Sequence, residues 1–391
     1  MKSANPVVED KQEPETLYVA LELGSRNWIV GFSGGGKKWH MRRFSAGGYD
    51  ALQLAMQSEK KKLGLPATAR VVSCYEAGRD GFSVHRELER RGIENRVVDS
   101  SSIKVDRRRM QEKTDRIDCQ ELLRMLVLSD QGAANVWRVV NPPSLEEEDA
   151  RRPSRERERL VRERGAHSVR IRSLLKLIGL KLRVDAAFLK SLSEKNVPPH
   201  LRAELQREFE RWSLAHAQVR AVEKEKAAIV RAACEKEEAG DNIAPDGSLV
   251  IVDHRVGSIA SRLASLYGIA LGSGWVFASE FFAWRQFHNR RELAACAGLA
   301  PIRRNSDQTD RRFGISKAGN QRVRDTMVEI AWRWVQFQPR SSLSQWFGRR
   351  FADGNSRARR RGIVAVARKL LIQLWRFLDH GVMPDGAVCI A

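Results

Sequence analysis

Four carboxylates stand in sequence contexts suited to holding a hard divalent cation: Glu22, Glu76, Asp115 and Asp118. Glu22 lies in the apolar run LYVALEL at 17–23, where alternation puts Tyr18, Ala20 and Glu22 on one face and Leu17, Val19, Leu21 and Leu23 on the other. Glu76 ends a second such run, RVVSCYE at 70–76. Asp115 and Asp118 are three apart at the start of a helical pattern, so they project from one side. If the two strands are neighbours, the glutamates lie side by side and the helix brings its aspartates over them. Four such carboxylates repel one another unless cations neutralise them. Mg²⁺, or Mn²⁺ in its place, takes oxygen ligands and keeps positions open for phosphate oxygens. A pair of such ions clamps the attacking and leaving oxygens of a phosphoryl transfer. Each acid alone reads as a surface carboxylate. Only the order strand-acid, strand-acid, helix-acid-x-x-acid points to a site.

The elements that must position these acids follow from hydropathy patterning. Strands are expected at 17–23, 28–33 and 37–44, with a glycine turn at 34–36, then at 70–76 and 95–99. Helical segments at 49–63, 81–91 and 114–128 fall around them. This predicts an α/β domain with a mixed sheet over 16–140, after a flexible lead-in at 1–15. Pro142 and Pro143 mark a boundary. Residues 144–238 read as a helical hairpin or coiled coil broken by NVPP at 196–199, with Leu201, Leu205, Trp212, Ala215, Val219, Val222 and Ile229 on four- and three-residue steps. Val169, Leu174, Leu175, Leu177 and Ile178 form the opposing stripe, and Glu208 and Lys226 interrupt the second helix. A mostly helical region follows over 245–385, with helices expected at 256–267, 275–284, 290–298, 319–337 and 362–380, and a basic loop at about 301–316.

The chain has 391 residues, a formal net charge of +21 and ten tryptophans. The charge draws polyanions, and the tryptophans argue for folded cores rather than a basic tail alone. No apolar run reaches the roughly 18–20 residues of a membrane helix. Neither a signal nor a transit peptide is expected at the N-terminus, and the five scattered cysteines form no zinc or disulfide pattern. A reducing bacterial cytoplasm, at the nucleoid, is the expected location.

ALELGS (20–25), CYEAG (74–78) and KTDRID (113–118) resemble the motifs of DEDD transposases of the insertion-sequence-110 group, relatives of the pilin-gene invertases. Two departures stand out: Cys119 where that pattern has alanine, and Glu22 where it usually has aspartate. The resemblance continues in RRELAACAGLAPIRRNSDQTDRRFGISKAGNQRVR at 290–324. It implies a RuvC-like, RNase H-fold catalytic domain, and a C-terminal transposase domain in which Ser306 is the nucleophile that joins covalently to DNA. It also implies donor and target DNA as substrates, a structured guide RNA as partner, and a dimer or tetramer. YGIALGSG at 267–274 stands where the group usually has a PGIG-type turn, with Tyr267 replacing the proline.

By residue type alone Ser306 is an ordinary loop serine, and Ser273, Thr309 and Ser316 are other hydroxyls in the region. The surrounding charge is less ordinary. Arg303, Arg304, Arg311, Arg312, Lys317, Arg322 and Arg324 meet only Asp307 and Asp310 over 303–324. Arg357, Arg359, Arg360, Arg361, Arg368 and Lys369 meet no acid over 355–369. Both runs suit contact with phosphates, which positions a strand without reading its sequence. Two other readings fit the same residues: a structure-specific nuclease that hydrolyses DNA with the acids alone, and a nucleic-acid-binding protein that has lost catalysis.

Overall fold

The computed structural model describes residues 16–78, 81–103, 115–134, 136–238, 250–306, 309–351 and 353–390. The expected lead-in at 1–15, and Lys113 and Thr114 of KTDRID, lie outside them. Two compact units divide at Pro143 and Ser144.

In the first unit, β1 (Thr16–Leu23), β2 (Asn27–Ser33) and β3 (Trp39–Ser45) form an antiparallel meander. Helix α1 (Tyr49–Leu63) leads to β4 (Arg70–Glu76), and α2 (Ser83–Arg90) leads to β5 (Glu94–Val98). Helix α3 (Asp115–Asp130) and the short β6 (Val139–Val140) complete the unit. Among the described residues the sheet order is β3-β2-β1-β4-β5-β6, with β1, β4 and β5 parallel. This mixed order is RNase H-like and puts β1 at the centre. Its alternation is that expected: Leu17, Val19 and Leu21 pack into a core with Leu52, Met56 and Leu88, while Tyr18 and Ala20 pack with Cys119, Leu122 and Leu126 of α3.

The second unit is mostly helical. A capping box at Ser144 and Glu147 starts α4 (Leu145–Asp149). Helix α5 (Arg152–Leu177) is followed by the short α6 (Phe188–Ser193) and by α7 (Pro199–Glu238), which packs along α5. Leu205, Ala215, Val219 and Val222 are buried in this hairpin, as their spacing requires. The α5 stripe is narrower than expected: Leu175 is buried, but Val169 and Leu177 are exposed. Glu208 is buried in the hairpin and accepts hydrogen bonds from His167 Nδ1 at 2.7 Å, Arg170 at 3.0 Å and Arg211 at 2.8 Å. Helices α8 (Val250–Ala264) and α9 (Leu271–Phe277) lead through a π-helical turn at Ala278–Phe282 to α10 (Arg290–Cys296).

The segment expected as a basic loop at 301–316 is instead a hairpin of β7 (Pro301–Ser306) and β8 (Thr309–Ile315). Its paired backbone groups satisfy one another, so the ribbon needs no alternating apolar face. Helices α11 (Gln321–Phe337), α12 (Ser342–Phe351) and α13 (Ser356–His380) close the core around Met327, Trp334, Phe347 and Leu370. No described helix is long and apolar enough to cross a membrane.

Candidate active site and nucleic-acid interface

The acidic residues gather at one edge of the first unit because three elements end there. β1 and β4 pair in parallel from Thr16 opposite Arg70 to Leu21 opposite Tyr75. Glu22 and Glu76 are the next residue on each strand, on neighbours roughly 4.8 Å apart. Their even positions continue the face of Ala20 and Cys74, which is the face α3 covers. Helix α3 runs against the strands. At its C-terminal end Asp130 accepts from Tyr18 Oη at 3.0 Å and Arg70 Nη2 at 3.1 Å, near the starts of β1 and β4. At its N-terminal end Cys119 Sγ lies 3.5 Å from the Ala20 carbonyl oxygen, beside Glu22. Asp115 is four residues before Cys119 and Asp118 four before Leu122, both of which are buried against the sheet. The aspartates therefore continue that face one turn further, toward the strand ends. Among the described residues Glu76 and Asp115 are exposed, and Glu22 and Asp118 are half-buried.

Burial pushes the Cys119 thiol up to about 12, and the charge of Glu22 adds to that rise. Cys119 is thus a packing residue and not a nucleophile. The oxygen-only donor set suits Mg²⁺ or Mn²⁺ by type. Among the described residues, however, no three His, Cys, Asp or Glu side chains stand close enough to hold an ion. The acids share an edge without being drawn into a cage.

A basic groove of the same unit was not apparent from the sequence. It has a volume of about 760 Å³ and is lined by Ile29, Trp39, Met41, Arg42, Arg43, Lys62 and Arg116. Glu59 closes it from below, accepting from His40 Nδ1 at 2.6 Å and Lys62 Nζ at 2.9 Å. Burial pushes the Glu59 carboxyl up, but Lys62 and His40 together hold it below its usual value. Arg116 ties the groove to the acidic edge, since it sits between Asp115 and Asp118 in the chain. The adjacent pair Arg42–Arg43 was the available signal: neighbouring residues on a strand face opposite ways, so two arginines there require an uncovered edge strand.

In the second unit Ser306 ends β7 and pairs with Thr309 at the tip of the ribbon. The side chains of 303–313, which include Arg303, Arg304, Arg311 and Arg312, lie outside those described. The register sets Arg303 opposite Arg312 and Arg304 opposite Arg311. The base of the ribbon is fastened by backbone bonds: Ser316 N to Ala300 O at 2.8 Å, Lys317 N to Gly298 O at 3.2 Å and Asn320 N to Cys296 O at 2.8 Å. Gly319 makes this possible. Its φ is +126°, and a Cβ there would stand 2.4 Å from Cys296 O and 2.7 Å from Gly298 N. Asn320 then caps α11 by accepting from Val323 N at 3.2 Å.

Residues 260–345, which contain this ribbon and its base, match the family model described as "Transposase IS116/IS110/IS902 family". A protein of Sinorhizobium fredii (strain NBRC 101917 / NGR234) named "Putative transposase y4rJ" is 38% identical over 386 residues, 95% of this chain and 94% of its own. The chain belongs to the IS116/IS110/IS902 transposase family. A second protein of that organism, "Putative transposase y4qE", is 31% identical over 134 residues, about a third of each chain. Family membership makes the general activity of this transposase a DNA-acting one.

The other basic residues of the transposase divide into two groups. Arg357, Arg359, Arg360 and Arg361 are exposed on the first turns of α13 and have no ion pair among the described residues. Asn355 caps that helix by accepting from Ala358 N at 2.9 Å. Lys317 is exposed at the ribbon base. Arg322 instead pairs with Glu158 at 2.7 Å, Arg324 donates to the Lys317 carbonyl at 2.8 Å, and Lys369 Nζ lies 4.4 Å from the Trp346 ring. These three side chains have partners within the second unit. At the degenerate PGIG-type segment, Tyr267 donates its backbone N–H to Val388 O at 3.0 Å, and its ring meets Phe337 edge-on.

Proposed function

We propose that this chain is the catalytic transposase of an insertion element, cutting and rejoining DNA through Ser306 with Glu22, Glu76, Asp115 and Asp118 as its metal-holding acids. The convergence of β1, β4 and the start of α3 on one edge is the single observation that carries this reading. Bound Mg²⁺ or Mn²⁺ would supply charge neutralisation to a phosphoryl group and lower the barrier to its transfer. In the cleavage step Ser306 Oγ attacks phosphorus. The Ser–O–P bond forms, a P–O bond to deoxyribose breaks, and the departing oxygen takes a proton. Attack by a second strand's hydroxyl reverses the step and frees the serine. The ribbon's four arginine positions support the same reading, because a run of cations suits contact with a phosphate backbone.

The groove of Arg42, Arg43 and Arg116, and the first turns of α13, offer cationic paths for nucleic-acid backbones. A structured guide RNA is the partner that directs the choice of DNA. Exposed Val169, Leu177 and Leu214 on the long hairpin support assembly into a dimer or tetramer. The test is to purify the full chain from its host, sequence the RNA that accompanies it, and assay recombination with that RNA, DNA and Mg²⁺. One dominant structured RNA that directs strand exchange is the expected result. Recovery of unselected cellular RNA with no effect on exchange would overturn the guided reading.

A further inference from the structure

The second unit holds a cavity of about 480 Å³ that no motif predicted. Three segments line it: one face of α8 (His254, Arg255, Ser258, Arg262), the connection after the π-helical turn (Arg285, Gln286, Phe287) and the end of α13 (Trp375, Asp379). Its chemistry is mixed in a particular way. Arg262 is occupied, because it donates to the carbonyls of Phe377 and Leu378 at 3.0 and 3.2 Å and so closes the end of α13. Arg255 is exposed, and Arg285 stacks with its guanidinium carbon 4.2 Å from the Trp284 ring centroid. Among the described residues neither Arg255 nor Arg285 has a carboxylate partner. Arg285 Nε and His254 Nε2 are buried and meet no hydrogen-bond partner among the described residues. Arg285 Nη1 lies 3.8 Å from Cys296 Sγ, and no carboxylate among the described residues answers its charge, so the cations of the cavity wall stay available to an anionic group.

We propose that this cavity seats one unpaired nucleotide of the nucleic acid the transposase handles, a reading that rests on its proposed function. Arg255 and Arg285 hold the phosphate, Phe287 and Trp375 give aromatic faces for the base, and Gln286 and Asp379 meet its polar edge. A bare anion would need only the arginines and would be disfavoured by Asp379. A wholly apolar ligand would leave both arginines unanswered. A nucleotide uses the cations, the aromatics, the amide and the carboxylate together, and a cavity of this volume accommodates one. Its role would be to hold a strand that has left its duplex.

The test is isothermal titration of the full chain with dAMP, AMP and inorganic phosphate, without metal or duplex DNA. We expect one mononucleotide site with a dissociation constant of about 1 mM or below, bound at least about fivefold more tightly than inorganic phosphate. Arg255→Glu should weaken it roughly tenfold and Trp375→Leu about threefold or more, both with unchanged circular dichroism. The tighter of dAMP and AMP identifies whether the held strand is DNA or RNA. Equal affinity for inorganic phosphate, no binding of either nucleotide, or unchanged binding by both variants would overturn the proposal. Loss of covalent chemistry at Ser306 would sink the proposed function and leave this titration unaffected.

Discussion

Cys119 Sγ lies 3.2 Å from the point where a Cβ on Gly31 would sit, and Leu123 Cδ2 lies 3.3 Å from it. Gly31 on β2 thus leaves the space that lets α3 settle against the sheet, with Asp115 and Asp118 continuing past its buried face. Gly31→Ala should push the start of α3 outward, destabilise the first unit by about 1–2 kcal/mol and lower metal-dependent cleavage. Cys119→Ala should be tolerated by itself and should relieve Gly31→Ala in the double variant. A double-mutant cycle by urea denaturation checks this. Strictly additive effects would show that the two residues do not share the space.

The acidic edge makes a graded prediction. Asp115→Asn and Asp118→Asn should each reduce Mg²⁺-dependent DNA cleavage by about 10²-fold or more while leaving the melting temperature near that of the parent. Glu22→Gln should behave likewise, but Glu22→Asp should retain activity, since the shorter acid restores the more usual residue of this motif. Cleavage that survives both aspartate substitutions would move the chemistry elsewhere.

Much of this edge was legible in the sequence, and the reasons are local. LYVALEL alternates cleanly, so the face shared by Tyr18, Ala20 and Glu22 could be read at once, and the structure puts Tyr18 and Ala20 against α3. The helix stripe through Leu205, Val219 and Val222 was equally plain. The ribbon at 301–315 was missed because PIRRNSDQTDRRFGI has no alternating apolar face to announce a strand. Its support is backbone pairing and the fastening at Gly319, which are long-range facts. The 254–262 face of α8 was missed for a related reason: its cavity is completed by residues about thirty and a hundred and twenty positions away.

Gly319 should be among the least replaceable residues of the second unit. A side chain there meets Cys296 O at 2.4 Å and also requires φ near +126°. Gly319→Ala should cost about 2–4 kcal/mol, loosen the ribbon base and remove strand transfer. Limited proteolysis would show this as new cleavage within 298–320. An alanine variant with parental protease resistance and activity would contradict the role given to this contact.

Lys226 is buried in the hairpin with its Nζ 5.9 Å from the Trp275 ring. Burial pulls it down to about 8, and Arg157 adds to that fall. Its folded value is below the unfolded one, so the unfolded chain binds more protons between about pH 8 and 10.5. The cost of burying the charge is therefore full below pH 8 and fades as pH rises through that window. Lys226→Met should raise Tm at pH 7 by several degrees, and the gap should narrow by pH 10. Parallel thermal melts across that range read the effect directly. A gap that stays constant would show that the ammonium is not the source of the cost.

Ser306 as the nucleophile can be tested in one measurement. The full chain is incubated with end-labelled DNA, its RNA and Mg²⁺, quenched in denaturant, and examined for protein carrying the label. A covalent adduct mapping by mass spectrometry to phosphorylated Ser306, and lost in Ser306→Ala together with strand exchange, is the predicted result. Equal DNA cleavage by the parent and Ser306→Ala, with no adduct from either, would contradict the account and leave the acidic edge as the hydrolytic site of a nuclease.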